Sequence, residues 1–217
     1  MICSIFVNPT QFNDAKDFEK YPVRIDKDIF LLEEAGCDVL FLPDVLEMYP
    51  DGLTNSENFD VGYLANILDG KYRPGHFNGV CQVMDRLLRI ALPDKLFMGQ
   101  KDFQQCMVLK KMTAQNFPSV QLIICPTKRE SDGLAMSSRN VRLTTNERTV
   151  AVKIYETLLI VRDEIKTGSL IHLKEWAVQN LINNGFKVDY VEIADAGTLE
   201  LLTAWNGQTP IGRLDNG

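Results

Sequence analysis

Histidine, basic charge and long apolar runs are all scarce in this sequence. The only two histidines, His76 and His172, do not lie beside a candidate serine or cysteine nucleophile. This argues against acyl-enzyme chemistry, which needs a base next to the nucleophile. The formal charge of −6 argues against binding to nucleic acid, because phosphate backbones are met by basic surfaces.

The apolar runs and the cysteines indicate the compartment. No uninterrupted apolar run approaches the ~18 residues of a membrane-spanning helix, so we expect no membrane partner. The five cysteines are scattered, without paired spacing, and lie mostly in apolar runs. We interpret them as buried thiols in a reducing compartment, which predicts a cytoplasmic protein. With 45% hydrophobic and 24% charged residues, the composition is typical of a globular protein of one large or two small domains.

Strand and helix patterns alternate through the first 125 residues. Apolar runs predict strands over residues 2–7, 38–42, 95–98 and 120–125. Amphipathic spacing predicts helices over residues 24–35, from about 80 to 91, and from 103 to about 115. This order predicts an α/β domain with a parallel sheet and covering helices.

The pattern changes after Leu143. Two consecutive helices, from Thr145 to about Lys166 and from Leu170 to about Asn183, precede predicted strands over residues 188–193 and near Ile211. These elements predict a small α+β domain. We place the boundary near Pro126, which gives domains 1–126 and 127–217 with a hinge between them, where small-molecule sites often form.

Polar loops follow the predicted strands or lead into the predicted helices. Residues 43–60 form a segment longer than a connection needs, which predicts a binding loop, and residues 71–78 form a second polar loop. Because the carboxyl ends of parallel strands share one edge of a sheet, we expect four loops to converge there. They are Asn8–Gln11, Arg73–His76, Gly99–Gln105 and Thr127–Arg139.

The last of these loops has the groups that hold phosphate. Ser137 and Ser138 offer hydroxyl donors, and the guanidinium of Arg139 donates to two oxygens at once. The alternative is that the two serines cap a helix or a turn while Arg139 is solvated. In the other loops, Lys101 adds charge and Asp102 suits a ribose. Glutamines 11 and 105 suit hydroxyl or carboxylate groups, so the loops together suit a nucleoside triphosphate and a polar acid.

Five segments in this order resemble the pantothenate synthetase family, also called pantoate–beta-alanine ligases. The resemblance extends from Ser4 to about Asn216 and includes residues 188–193 and 212–216. The five segments are Ser-Ile-Phe-Val-Asn-Pro-Thr-Gln-Phe (4–12), Tyr-Pro-Asp-Gly (49–52), Arg-Pro-Gly-His-Phe-Asn-Gly-Val (73–80), Gly-Gln-Lys-Asp-Phe-Gln-Gln (99–105) and Asp-Gly-Leu-Ala-Met-Ser-Ser-Arg-Asn (132–140).

The resemblance implies an ATP-dependent ligase of the nucleotidyltransferase superfamily, with a Rossmann-like domain of parallel sheet and a small α+β lid domain. In this family the pantoate carboxylate attacks the α-phosphate of Mg-ATP, which gives pantoyl adenylate and pyrophosphate. The amine of beta-alanine then displaces AMP. Members of the family are generally cytosolic homodimers, so the implied partners are pantoate, beta-alanine, ATP with Mg²⁺ and a second copy of the chain.

The resemblance also implies a role for individual residues, and no protein ligand to a metal is among them. Arg73 and His76 match a loop that lines the same cleft. The implied pantoate residues are Asn8, Gln11 and Gln105. The implied ATP residues are Gly99 and Asp102 on the ribose and Lys101, Ser137, Ser138 and Arg139 on the phosphates, and these last four are also the implied catalytic residues.

The sequence departs from the family pattern at two places. Gln100 stands where the family has a glutamate, which keeps the shape of the turn, so we expect little effect. The family also has an upstream strand, a Met-Gly turn and a His-x-Gly-His motif that this sequence does not contain. We therefore expect the chain as written to be truncated and a poor catalyst. The alternative is a natural short form whose sheet is completed by a partner.

Two other functions compete with the ligase. One is a non-catalytic remnant that binds pantoate or nucleotide without turnover. The other is a relative of the tRNA synthetases, suggested by the Met-Ser-Ser-Arg segment at residues 136–139. The acidic charge and the lack of an anticodon-binding region argue against the latter.

Overall fold

The structure is a computed structural model that describes residues 1–13, 15–53 and 58–211. Part of the predicted binding loop, residues 54–57, and the 212–216 motif lie outside the described residues. Among the helices of the described ranges, none combines the length and the hydropathy that a membrane-spanning segment requires.

The chain forms two compact units. The first consists of Met1–Phe97 and Val108–Ile123, and the second consists of Met98–Met107 and the chain from Ile124 onward. The predicted domain boundary near Pro126 stays a prediction.

The first part of the chain alternates strands and helices. Strand β1 pairs in parallel with β2, with Ile2 opposite Val39, and β3 and β4 form a second two-stranded sheet. The elements are β1 (Ile2–Ser4), α1 (Ala15–Glu19), α2 (Ile25–Glu34), β2 (Val39–Phe41), α3 (Val45–Met48), α4 (Asp69–Tyr72), α5 (His76–Ala91), β3 (Lys95–Gly99), α6 (Phe103–Asn116) and β4 (Gln121–Cys125).

The later part of the chain is mainly helical. Its one two-stranded ladder is antiparallel and joins β5 to β6 within the described residues. The elements are α7 (Thr145–Ala151), α8 (Lys153–Glu164), β5 (Gly168–Ser169), α9 (Ile171–Asn183) and β6 (Ala204–Trp205). The predicted fold class, a parallel α/β arrangement with a small α+β part, is confirmed.

Each unit has its own apolar cluster. In the first unit, Met48 and Tyr49 pack with Val83 of α5, and Phe6 and Phe41 pack against them. This cluster fixes α5 beside the loop that follows β1. In the second unit, buried side chains of α8, of α9 and the residue just before it, and of the chain between α9 and β6 pack together. The buried members are Val161, Leu170, Ala177 and Ile193.

Several predicted elements differ from those observed. The predicted polar loop 71–78 is mostly helical, because α4 ends at Tyr72 and α5 begins at His76, and polarity alone does not distinguish a loop from a short exposed helix. The predicted helix from Thr145 divides at Val152, which keeps helical dihedral angles. The prediction of a strand over residues 188–193 is wrong, as that segment is irregular.

The physical reason lies in the packing of that segment. Val191 and Ile193 do pack against the apolar cluster of the second unit, so the alternation of apolar residues reports burial correctly. Backbone pairing starts only at Ala194, which forms a bridge with Leu201. The predicted strand near Ile211 is likewise a single bridge, to Asp195.

Candidate functional site

In the first unit, the loop after β1 is built around the side chain of Asn8. This residue is 2% exposed and caps the 3-10 turn Pro9–Gln11 by accepting from the N–H of Thr10 at 3.4 Å. Its Nδ2 donates to the carbonyl of Gly79 at 3.1 Å and to Oε1 of Gln11 at 3.3 Å. Two of the predicted pantoate residues, Asn8 and Gln11, are therefore in direct contact.

Tyr49 holds Asn8 from the other side. Its hydroxyl donates to Oδ1 of Asn8 at 2.7 Å, and the ring is 1% exposed with the guanidinium of Arg86 5.1 Å from its centroid. Burial raises the pKa of Tyr49 above its usual value, so the hydroxyl keeps its proton at neutral pH. No role was predicted for this residue from the sequence. The available signal was the Tyr-Pro-Asp-Gly segment in what was predicted to be a binding loop.

Gly79 allows α5 to approach this loop closely. A Cβ at this position would clash with the carbonyl oxygen of Thr10 and would lie 2.7 Å from the carbonyl carbon of Thr10 and 3.0 Å from the amide nitrogen of Gln11. These are main-chain atoms, which cannot move aside as a side-chain tip can. Only glycine permits the contact.

His76 supports the same loop at the start of α5. Its Nδ1 lies 2.8 Å from the carbonyl oxygen of Gln11. Because a carbonyl only accepts, Nδ1 carries the hydrogen of this bond. The main-chain N–H of His76 donates to the carbonyl of Arg73 at 3.1 Å, and Nδ2 of Asn13 donates to the carbonyl of Pro74 at 2.8 Å. Four predicted residues, Asn8, Gln11, Arg73 and His76, thus belong to one connected set.

In the second unit, the turn between β3 and α6 carries the predicted ribose and phosphate residues. Lys101 and Asp102 form an ion pair, with Nζ 3.0 Å from Oδ1, and both side chains are largely exposed. An exposed pair of this kind is weak, so Lys101 can exchange it for a phosphate oxygen. The carbonyl of Gly99 accepts from the thiol of Cys106 at 3.4 Å. Gln105 is half-buried in the first turn of α6.

A hairpin follows β4 and precedes the predicted phosphate loop. Arg129 and Ala135 form an antiparallel bridge, and the N–H of Met136 donates to the carbonyl of Lys128 at 2.9 Å. Gly133 forms the turn with φ +91°. Isolated hairpins are marginally stable, so this one depends on the helices beside it.

Two contacts attach the hairpin to α7 and α8. The guanidinium of Arg129 stacks 4.0 Å from the ring centroid of Tyr155 and donates to the carbonyl of Gly133 at 3.1 Å. Arg148 donates to Oδ2 of Asp132 at 2.7 Å. This bond lowers the pKa of Asp132 and raises that of Arg148.

Ser137 caps the 3-10 turn after the hairpin. Its Oγ accepts from the N–H of Arg139 at 3.3 Å, and Nδ2 of Asn140 donates to the carbonyl of Ala135 at 3.1 Å. The capping alternative is therefore realised at Ser137. It does not exclude a phosphate role, since a hydroxyl that accepts still has a proton to donate. Ser138 and Arg139 are exposed. The convergence of the four loops on one edge stays a prediction.

Comparison with known proteins decides the family. The model of the family described as "Pantoate-beta-alanine ligase" matches residues 1–211. The chain belongs to this family. The pantothenate synthetase of Cytophaga hutchinsonii is 44% identical over 214 residues, which is 97% of this chain and 75% of the relative. That of Acetivibrio thermocellus is 43% identical over 202 residues, 92% of this chain and 71% of the relative.

Solved structures of the same family confirm the fold. The pantothenate synthetase of Thermus thermophilus is similar with a TM-score of 0.86 and 38% identity, over 94% of this chain and 74% of that one. The pantoate-beta-alanine ligase of Francisella tularensis, complexed with beta-gamma ATP and beta-alanine, is similar with a TM-score of 0.71 and 41% identity. The match covers 82% of this chain and 67% of that one. The predicted enzyme class, a pantoate–beta-alanine ligase, is confirmed by these relatives.

Proposed function

We propose that this protein condenses pantoate with beta-alanine at the expense of ATP, through a pantoyl-adenylate intermediate. The observation that carries this proposal is the family match over residues 1–211. The Francisella relative bound to an ATP compound and beta-alanine supports the choice of substrates.

The proposed reaction has two steps. A carboxylate oxygen of pantoate bonds to the α-phosphorus of ATP, and the bond from that phosphorus to the bridging oxygen breaks, which releases pyrophosphate. The amine of beta-alanine then bonds to the acyl carbon and loses a proton, and the bond to AMP breaks. The protein's contribution is to position the reactants and to neutralise charge on the transferring group, so no protein nucleophile is needed.

We assign the ATP contacts to the second unit. Lys101 and residues 137–139 bind the phosphates, and Gly99 and Asp102 bind the ribose. The exposure of Lys101 and the capped turn at Ser137 support these roles. The described residues contain no group of three histidine, cysteine or acidic side chains that could hold a metal ion. Mg²⁺ commonly binds through substrate phosphates, and we treat it as part of the Mg-ATP substrate.

We assign pantoate contacts to Gln11 and Asn8 in the first unit. The half-buried side-chain amide of Gln11 is held there by the buried amide of Asn8. Gln105 is assigned to pantoate by the family resemblance alone. His76 supports the main chain of Gln11, and Arg73 supports His76.

Pantoate-dependent exchange between ATP and pyrophosphate tests the adenylation step. We expect Lys101→Ala to slow exchange about 10- to 100-fold, because a hydrogen bond to a charged group contributes about 1.5–3 kcal/mol. Lys110→Ala, which removes an exposed lysine of α6, is the matched control and should exchange normally. Normal exchange by Lys101→Ala would refute the assignment. Calorimetric binding of pantoate or ATP without any exchange by the wild type would instead support binding without turnover.

Variants of Ser137 separate its capping role from its phosphate role. Ser137→Ala removes both the cap acceptor and the hydroxyl proton, so we expect lower stability and slower exchange. Ser137→Asp keeps a good cap acceptor but brings a negative charge toward the phosphates. We expect it to retain stability and to exchange no faster than Ser137→Ala. Recovery of exchange by Ser137→Asp would show that Ser137 acts only as a cap.

We also propose a cytoplasmic homodimer, supported by the family resemblance and by the five free thiols. Light scattering coupled to size-exclusion chromatography should give twice the chain mass of 24.6 kDa. The chain mass itself would refute the dimer.

A further inference from the structure

We propose that Tyr49 is a positioning residue for pantoate. Its hydroxyl, acting through Asn8, sets the side-chain amide of Gln11 so that the NH₂ group of Gln11 is presented to the ligand. The inference rests on the proposed function, in which Gln11 binds pantoate.

The first step is that Tyr49 delivers a fixed proton. Its ring is packed in the cluster with Met48 and Val83, so the hydroxyl has little freedom to move. The O–H lies 2.7 Å from Oδ1 of Asn8. Thr10 Oγ1 is also near, at 3.1 Å from Oδ1 of Asn8, but it lies 3.3 Å from the carbonyl of Gly79 as well.

Thr10 therefore cannot replace Tyr49. A threonine hydroxyl has one proton, and when that proton goes to Gly79 it is lost to Asn8. The main-chain N–H of Thr10 is a longer donor to Asn8, at 3.4 Å. Tyr49 is the shortest donor to Asn8, and the other contact of its hydroxyl, with Oγ1 of Thr10 at 3.5 Å, is much longer.

The second step is that donors on one side fix the orientation of the Asn8 amide. A tyrosine hydroxyl can donate or accept, and here it donates to Oδ1, which is the shortest bond to this amide. Because the main-chain N–H of Thr10 only donates and the carbonyl of Gly79 only accepts, Oδ1 faces Thr10 and Tyr49 and Nδ2 faces the opposite way. There Nδ2 donates to the carbonyl of Gly79 at 3.1 Å and to Gln11 at 3.3 Å. An amide turned by 180° would place Oδ1 against the carbonyl of Gly79, where no hydrogen lies between the two oxygens.

The third step is that Asn8 fixes Gln11 in the same way. Because Nδ2 of Asn8 only donates, the atom of Gln11 that faces it has to be Oε1. Nε2 of Gln11, with two N–H groups, then faces away from Asn8. The carboxylate and hydroxyl oxygens of pantoate are acceptors, so this orientation matches them. His76 holds the main chain of Gln11 in place while the side chain is set.

Tyr49→Phe tests the proposal because it keeps the buried ring and removes only the hydroxyl. We expect the Kd and the KM for pantoate to rise about tenfold and the KM for ATP to stay unchanged, since Asn8 loses its shortest bond, holds Gln11 less firmly and thereby loses about one hydrogen bond to pantoate. The matched control is Thr113→Val. It removes another buried hydroxyl of the first unit, which donates to the carbonyl of Leu109 at 2.8 Å, and should leave pantoate affinity unchanged.

The double variant Tyr49→Phe/Gln11→Ala shows whether Tyr49 acts through Gln11. We expect Tyr49→Phe to cause no further loss of pantoate affinity once Gln11 is alanine. Multiplied losses in the double variant would overturn the inference, and so would a Tyr49→Phe affinity equal to that of Thr113→Val. If Gln11→Ala alone keeps wild-type affinity, the proposed pantoate role of Gln11 is wrong. That result concerns the proposed function rather than the relay of hydrogen bonds from Tyr49 through Asn8 to Gln11.

A measurement without ligand tests the relay directly. In ¹⁵N spectra of the free protein, the side-chain amide signals of Gln11 are assigned by their absence in Gln11→Ala. We expect them to shift in Tyr49→Phe and not in Thr113→Val. Unmoved signals in Tyr49→Phe would overturn the inference even if pantoate binds.

Discussion

Replacement of Gly79 by alanine should destabilise the first unit, although alanine is the better helix former. In an unobstructed helix interior the change from glycine to alanine is favourable by about 1 kcal/mol. Here the new Cβ would lie 2.7 Å from the carbonyl carbon of Thr10 and 3.0 Å from the amide nitrogen of Gln11. Relief requires a main-chain shift, and overpacking of this kind costs about 1–3 kcal/mol.

The shift would also strain two hydrogen bonds. The carbonyl of Gly79 accepts from Nδ2 of Asn8 at 3.1 Å and from Oγ1 of Thr10 at 3.3 Å, and each such bond contributes about 1 kcal/mol. With the helix-propensity gain subtracted, we expect Gly79→Ala to lower the free energy of unfolding by about 1 to 4 kcal/mol.

Urea unfolding followed by far-ultraviolet circular dichroism measures this change. Gly99→Ala is the control, because Gly99 has an ordinary φ of −77° and its added Cβ meets no heavy atom within 4 Å. We expect that control to stay within about 0.5 kcal/mol of the wild type. A Gly79→Ala protein as stable as the wild type, or more stable, would show that the close approach of α5 to the β1 loop is not required.

Three further predictions concern other parts of the molecule. Because Arg148 holds the pKa of Asp132 below its usual value near 3.8, the pair stabilises the fold above that pH and the contribution is lost as the pH falls through the lowered pKa. The melting temperature of Asp132→Asn should therefore lie below that of the wild type at pH 7 and converge with it at low pH. The same difference in melting temperature at pH 7 and at low pH would contradict this prediction. Gly133 has a φ of +91°, and a Cβ added there would lie 2.7 Å from Cε1 of Tyr155. Gly133→Ala should therefore lose about 1–3 kcal/mol of unfolding free energy, and unchanged urea unfolding would count against this packing of the hairpin on α8. Burial raises the pKa of the Cys81 thiol to about 12, so iodoacetamide at pH 8 should leave it unmodified in the folded protein and alkylate it in urea, as read by peptide mass spectrometry.

The elements predicted well are those with a local signal. Helix α2 was predicted over residues 24–35 and is observed over Ile25–Glu34, because a periodic apolar face is followed by Gly36, whose φ of +71° suits a helix end. Strand β4 was predicted from the largely apolar run over residues 120–125 and lies within it. The two-residue strands β5 and β6 were missed, since no period can appear in two residues.

Within the candidate site, too, the residues with a local sequence signal were predicted and those held by long-range contacts were not. Polar residues in loops after strands marked Asn8 and Gln11, and the resemblance to a known family gave them a ligand. Neither loop polarity nor the family resemblance could reveal the role of Tyr49, because its hydrogen bond to Asn8 joins residues 41 positions apart. The contact of Asn8 with Gly79 joins residues 71 positions apart. Such pairings depend on how α3 and α5 pack around the β1 loop, and no local pattern encodes that packing.

The fixed orientation of the Asn8 and Gln11 side-chain amides also affects which inhibitors this site would bind. A compound that places an oxygen acceptor opposite Gln11 meets two N–H groups already turned toward it. A compound with an amine or amide N–H at that position meets donors instead. Gln11 can turn its oxygen toward such a compound only by giving up its bond to Nδ2 of Asn8, whose reversal the carbonyl of Gly79 opposes. Selectivity between two nearly isosteric compounds would thus depend on the buried contacts of Asn8, which neither compound touches.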